Sequence, residues 1–281
     1  MKPKISIIIC SRNRSRMLRD SLASLSPDEM NAVHAELVLV DNNSEDDTTS
    51  VMNSFKEKAP FPVKVLSEEK IGVSNAKNTG LKAAEGDIIV LTDDDCHLAD
   101  DYLRTVVKVF ETGRFQYCGG SVFVVNPSAD RYTSRENNPP LIIPPNTFIG
   151  PGAIIGLNFV FLRCVLEKVG LFDPLLGPGS LFRAEDLDYV ARAGMAGFTG
   201  AFVPELIVYH YHNRKPGSDE MVKILYDNDF GRGAHYVKMA LMGYPRYLLG
   251  WAYLTLFAFN RKRVFTEIKG ALAYLKLRIF G

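Results

Sequence analysis

Three consecutive carboxylates, Asp93-Asp94-Asp95, follow directly on the apolar run Ile88-Ile89-Val90-Leu91 and Thr92. Adjacent carboxylates repel, and a group of them is tolerable mainly where a cation shares the site; oxygen ligands suit a hard ion such as Mg2+ or Mn2+. The bland alternative is a solvated acidic loop capping a helix that starts near Asp100. What precedes the triplet favours chemistry. An apolar run bounded by Gly86 and a polar cluster has the form of a strand buried on both faces, as in a parallel sheet, and ligands bind at the carboxyl ends of such strands.

The elements that must position these acids repeat along the chain. Ile5-Ser6-Ile7-Ile8-Ile9-Cys10 predicts a β-branched first strand, ending in Ser11-Arg12-Asn13-Arg14 and followed by a helix through Met17, Leu18, Leu22 and Leu25. Residues 37–40 predict a second strand, ending in Asp41-Asn42-Asn43. Ser44 and Asp47 have capping-box spacing and predict a helix onward through Val51, Met52 and Phe55. A third strand over 63–66 leads to a helix through Asn75, Ala76, Leu81 and Ala84, closed by Gly86. Repeated strand-then-helix units imply a parallel sheet with right-handed crossovers, which collects residues 11–14, 41–43 and 93–95 at one edge. Beyond it, 117–125 reads as a strand, and the Pro- and Asn-rich 126–151 as a long loop over the site or a disordered lid. A short helix over 164–169 ends at Gly170. Glu185-Asp186-Leu187-Asp188 opens a helix capped by Gly194, and a last strand over 205–211 ends in His210-Tyr211-His212.

At 281 residues, 47% hydrophobic and 23% charged, the chain has room for one large α/β domain and an appendage. A net charge of +1 argues against a dedicated nucleic-acid binder. Cys10, Cys96, Cys118 and Cys164 form no CxxC pair, so neither a zinc knuckle nor a disulfide framework is indicated, and a reducing compartment suits them. The apolar run 5–10 is too short for a signal peptide, which predicts a cytoplasmic protein. There is no GxxxxGK[ST] loop, and Gly150, Gly152 and Gly156 do not fit GxGxxG. Phosphates not held by a backbone cradle need a cation, which the aspartates are placed to hold.

In order and spacing, these stretches resemble an inverting family-2 glycosyltransferase of the GT-A fold over roughly residues 4–215. Residues 6–14 are similar to the family's opening strand and uridine-facing turn, 38–44 to "VVDNxS", and 72–80 to "GxxxARNxG". Leu91 to Cys96 resembles "TDDDC", giving Asp93 and Asp95 the outer positions of a DXD motif. Residues 156–163 resemble "GxNxxxRR", 170–179 "GgFdxxlGxG", 185–188 the E-D motif, and 208–210 the terminal histidine. The resemblance implies a catalytic domain over 1–215, with a nucleotide-sugar half to about 100 and an acceptor half beyond it. It implies a donor site at Ser11, Arg12, Arg14, Asp41, Asn42, Lys77, Asp93 and Asp94. A divalent ion, Mn2+ or Mg2+, is expected on Asp93, Asp95 and His210, with His212 two residues on as the alternative imidazole. Asp186 is the implied catalytic base, with Glu185 and Asp188 behind it, although a helix N-terminus would lower a carboxylate pKa. The expected reaction moves a sugar from a nucleotide donor to a carbohydrate or lipid-linked acceptor, in cell-surface polysaccharide synthesis. Cys10 and Arg12 stand where relatives often have Pro or Thr and Tyr, Asn42 where many have a second Asp, and Lys77 where Arg is usual. These departures make uridine the first expectation for the base and leave thymidine and guanosine open. Two rivals are a nucleotidyltransferase on the same fold, which would want a glycine-rich basic loop after the first strand, and a silent carbohydrate-binding or scaffolding protein, which loss of the acids would favour. The acids are intact.

Residues 216–281 are expected to form a helical, basic and apolar extension. The apolar run 247–259 is shorter than the roughly 20 residues a spanning helix needs. Phe265, Ile268, Leu272, Leu275 and Ile279 follow as a helical stripe, flanked by Lys269, Lys276 and Arg278. Such a stripe either packs on the catalytic domain or a second subunit, or lies on the cytoplasmic face of the inner membrane through residues 245–281.

Overall fold

The computed structural model describes residues 4–136, 138–256 and 261–280. The first half alternates strands and helices: β1 (Ile5–Ser11), α1 (Ser15–Ala23), α2 (Pro27–Ala32), β2 (Ala35–Asp41), α3 (Thr48–Lys58), β3 (Val63–Ser67), α4 (Val73–Ala83) and β4 (Ile88–Asp93). β5 (Cys96–Leu98), α5 (Tyr102–Glu111), β6 (Tyr117–Val124) and β7 (Leu141–Ile143) follow. β8 (Phe159–Leu162), α6 (Arg163–Val169), α7 (Glu185–Met195) and β9 (Gly200–His210) complete the sheet region. The chain ends in α8 (Asp219–Leu241), α9 (Arg246–Leu256) and α10 (Arg261–Phe280).

Among the described residues one sheet runs β3-β2-β1-β4-β8-β6-β9-β5, with β7 on β9. The first four strands are parallel. β8 then runs antiparallel to both β4 and β6, and β6 parallel to β9. Every residue of β2 is buried, as a strand covered by helices on both faces requires. The chain steps outward from β1 through β2 to β3 and returns on the other side of β1 as β4. The carboxyl ends of β1 and β4 therefore flank a switch point, where a crevice opens.

Several local expectations give way to tertiary contacts. The capping box at Ser44 does not form: Ser44 Oγ accepts from the Asn13 N–H at 3.0 Å, and α3 begins after Asp47 with no side-chain cap. Gly86 does not end α4, which stops at Ala83; its N–H donates to Ser6 Oγ at 2.7 Å, and a Cβ there would lie 2.5 Å from Ser6 N. Gly194 lies inside α7, and the turn after that helix is taken by Gly197 at φ +96°. Of the stretch 126–151, Tyr132, Thr133, Arg135 and Pro151 line the cavity and residues 141–143 form β7.

The terminal helices pack through absent side chains. A Cβ on Gly233 of α8 would lie 1.7 Å from the Glu267 carbonyl oxygen, and one on Gly270 of α10 1.8 Å from that of Phe230, so the two helices cross antiparallel in backbone contact. Glu267, at 1% exposure, accepts from Arg232 Nε at 3.0 Å, Arg263 Nε at 2.9 Å and Trp251 Nε1 at 2.8 Å. Residues 257–260, which include the end of the apolar run, lie outside the described residues. Among those described, no helix is long and apolar enough to cross a membrane. Gly270→Leu should force α10 off α8. Overpacking of this kind costs about 1–3 kcal/mol, readable as a lowered midpoint in denaturant; an unchanged midpoint would mean the contact contributes nothing.

Candidate active site at the strand ends

The three aspartates diverge as soon as β4 ends. Asp94 turns back beneath β1, accepting from Ser11 Oγ at 2.6 Å and pairing with Arg14 Nη1 at 2.8 Å. Asp95 takes the other guanidinium nitrogen, Arg14 Nη2, at 2.5 Å and faces His210 Nε2 at 3.3 Å. Asp93 lines the cavity, and its carboxylate has no hydrogen-bond or ion-pair partner among the described residues. Burial pushes Asp94 up to about 7. It would do the same to Asp95, but the bond to His210 and the Arg14 charge hold that carboxyl well below the usual range. Asp93 is raised by burial in spite of Lys77. The turn carrying Arg14 is set by Asn13 at φ +54°, whose Oδ1 accepts from the Glu45 N–H at 2.7 Å.

Pairing of β5 with β9 sets Cys96 opposite His210, which brings the histidine to the acids. Thr133 Oγ1, from the loop over the site, lies 3.0 Å from His210 Nδ1, leaving Nε2 to face Asp95. His212 does not share this position: its Nδ1 accepts from the Arg214 N–H, and burial first, then His210, lowers it to about 4. One ligand atom each from Asp95, Cys96 and His210 lies within 4.8 Å of the others. The Cys96 thiol is pushed far up by burial and stays protonated, which makes it the poorest donor of the three. Asp93 is not part of that close group, but it lines the same cavity as Asp95 and His210 and interacts with both through their charges; two carboxylates and an imidazole are a donor set that suits a divalent ion.

Facing this set, α7 opens with three acids in three different settings. Glu185 pairs with Lys77 Nζ at 3.0 Å, both nearly buried. Burial alone would raise Glu185, yet the Lys77 ammonium keeps it below its ordinary value. Asp188, fully buried, is 2.8 Å from both Arg192 Nε and Lys238 Nζ, which ties α7 to α8. Among the described residues Asp186 has backbone partners alone, the Gly156 N–H at 2.9 Å and the Leu187 N–H at 2.7 Å. Desolvation and then the Glu185 charge push it up to about 6, against the lowering a helix N-terminus by itself would give.

Two cavities of about 360 and 380 Å3 share Arg14, Val73, Asp93, Tyr132, Pro178, Arg183 and Arg214 along their junction. The first holds Asp95, His210, Lys77, Glu185 and Asp186; the second holds Cys10, Ser11, the exposed Arg12, Asn42 and Asp94. Asn42 reaches its wall, but its amide holds the loop before α4, donating to Glu68 O and Lys70 O and accepting from the Gly72 N–H. Asp41 is turned away to Thr49 Oγ1 at 2.8 Å. The sequence reading missed Tyr132, Thr133, Arg135, Arg183 and Arg214. Arg183 lines both cavities with no carboxylate partner among the described residues, and Ala184 beside it sits at φ +88°, an uncommon conformation for a side chain with a Cβ. The adjoining E-D pair was the available signal for Arg183; the others had none.

Residues 6–170 match the family described as Glycosyl transferase family 2. Glycosyltransferase AglE of Haloferax volcanii is 24% identical over 212 residues, covering 74% of this chain and 67% of that protein. The Campylobacter jejuni GalNAc(5)-diNAcBac-PP-undecaprenol beta-1,3-glucosyltransferase is 30% identical over 112 residues, 40% of this chain and 36% of that protein. Matches to other relatives are also partial, spanning 27% of Bacillus subtilis YfnE and 50% of YdaM. Among solved structures, the Pyrobaculum calidifontis mannosyltransferase PcManGT with GDP-Man and Mn2+ superposes with a TM-score of 0.64 at 17% identity, covering 98% of this chain and 88% of that one. Staphylococcus aureus TarS 1-349 with UDP-GlcNAc gives 0.67 at 14%, covering 97% and 81%. At these identities the likeness is one of fold.

Lys77→Met should leave Glu185 buried without its cation. Breaking such a pair costs about 3–5 kcal/mol, to be read by denaturant unfolding, whereas Lys77→Arg should retain most of it. Wild-type stability in the Met variant would show that the pair does not hold α4 to α7.

Proposed function

This chain belongs to glycosyl transferase family 2 and has the GT-A fold, and from that premise we propose a metal-dependent, inverting transfer of a sugar from a nucleoside-diphosphate donor, UDP-linked first, to a hydroxyl of a glycan or lipid-linked acceptor. The observation that carries the reading is a single cavity lined on one side by Asp93, Asp95 and His210, and on the other by Asp186, whose hydrogen bonds among the described residues are to backbone N–H groups. The named targets of two relatives, an undecaprenol-linked glycan and poly(ribitol-phosphate), support an acceptor of the cell-surface kind.

In this reading the nucleoside lies in the cavity of Cys10, Arg12 and Asn42, where the exposed guanidinium can stack on a base. The sugar and acceptor occupy the cavity of Asp186. Arg183 and Arg214 line the junction between them, where cations offset diphosphate charge. A divalent ion on Asp93, Asp95 and His210 would supply further electrostatic stabilisation of the departing nucleoside diphosphate. Asp186 accepts the proton of the acceptor hydroxyl as that oxygen bonds to the anomeric carbon. The bond from that carbon to the phosphate oxygen breaks on the opposite face, its electron pair leaves with the nucleoside diphosphate, and the configuration inverts. At about 6, Asp186 is ionised at neutral pH yet more basic than an ordinary aspartate.

Asp186→Asn should keep the affinity for UDP and lower transfer, followed as UDP release with Mn2+, by about 10²–10⁴-fold. Because the base works only when unprotonated, wild-type kcat/KM should climb with pH through about 6 and level off above it. Near-normal transfer by the Asn variant would move the base elsewhere, and a product with the donor's anomeric configuration would remove inversion.

A further inference from the structure

Phe265, Leu272 and Ile279 recur at seven-residue steps in α10, and so do Lys262, Lys269 and Lys276. Seven residues fall within about 20° of two full turns, so each set forms a column along the helix. Periodicity alone does not say which way a column faces. In the structure α10 packs inward through Thr266, Glu267, Gly270, Ala271 and Tyr274, and both columns face outward.

Every exposed position of α10 is apolar or basic. The apolar ones are Phe265 and Leu272 at 61% exposure, Ile268 at 41%, Ile279 at 67% and Phe280 at 82%. The basic ones are Arg261, Lys262, Lys269, Lys276 and Arg278. Glu267, the acid of this helix, points inward and is neutralised by Arg232 and Arg263. α9 continues the character with Leu249 at 73% and Leu256 at 81% exposure. Of the apolar stripe, Leu275 packs on the cluster around Phe182, Ala234 and Tyr274, whereas Phe265, Ile268, Leu272 and Ile279 are turned away from the body of the protein.

We propose that the outward faces of α9 and α10 seat the protein on an anionic lipid bilayer. Charge complementarity selects that occupant: the face of α10 offers no acid for a second copy's lysines to meet, whereas lipid phosphates would meet the lysine column while the apolar column enters the acyl boundary. Among the described residues neither helix is long and apolar enough to cross the bilayer, so on this proposal both lie along its surface. This surface is separate from the pocket, and its test uses no donor, metal or turnover, so its failure leaves the assigned reaction untouched.

The full chain is floated with vesicles of phosphatidylglycerol and phosphatidylcholine, and with phosphatidylcholine alone. Binding should need the anionic lipid, weaken with salt and persist in part through the apolar side chains. The triple variant Lys262→Gln, Lys269→Gln, Lys276→Gln should lower partitioning on the order of a hundredfold, each basic residue near the surface counting for about fivefold. Leu272→Glu should reduce it as well; all four positions are exposed, so thermal unfolding should match the wild type. A full chain that stays unbound at low salt, or a triple variant that binds like the wild type, overturns the proposal. So does a dimer that Leu272→Glu splits while vesicle binding is absent, which would assign the face to self-association.

Discussion

Three carboxylates in succession at the end of a buried strand cannot share one environment, and most of the site follows from how they are separated. Asp94 is held under β1 by Ser11 and Arg14, Asp95 lies between Arg14 and His210, and Asp93 faces the cavity with no partner among the described residues. Burying a carboxylate is costly unless it is paired or coordinated. The solution requires β1 beside β4, the Asn13 turn that aims Arg14, and the pairing of β9 with β5 that returns His210 from more than a hundred residues away. Arg14 is the shared element, a planar fork whose two terminal nitrogens take one acid each.

The start of α7 repeats the logic with a different outcome. Glu185, Asp186 and Asp188 sit within four residues, and their environments push them apart: Lys77 and Lys238 keep the outer two charged, while Asp186, which accepts from the Gly156 and Leu187 N–H groups, is raised to about 6. Divergent carboxylates of this kind are how one site obtains both a fixed charge and a base. Asp188 and the contact of Gly231 with the Arg183 backbone join this helix to α8, and α8 carries α10 through Gly233 and Gly270. The start of α7 and the terminal helices are thus packed into one continuous unit.

The parallel half of the sheet was legible because strands buried on both faces are written as continuous β-branched runs, and their order brought residues 11–14 and 93–95 together without further information. Roles within that edge were less legible. Asp41 and Asn42 lie where a donor site is expected, but one is taken by Thr49 and the other by the loop before α4, contacts between segments distant in sequence. The same competition took Ser44 from its capping box, since the Asn13 N–H reached it first. Gly86 and Gly194 resembled helix ends because a glycine at a close approach and a glycine at a cap look alike in sequence. Tyr132 and Thr133 sit in a loop with no periodicity, so nothing local pointed to His210. In α10 the stripe was visible, but its direction was set by the small residues opposite it, Gly270 and Ala271.

Titration calorimetry of UDP with and without Mn2+, on the wild type and on Asp95→Ala, tests the central claim most directly, namely that the strand-end acids and His210 hold a cation under the donor diphosphate. The account predicts UDP binding that depends on Mn2+ in the wild type, with that dependence lost in a variant that remains folded. Equal UDP affinity in both proteins, indifferent to the metal, would contradict it.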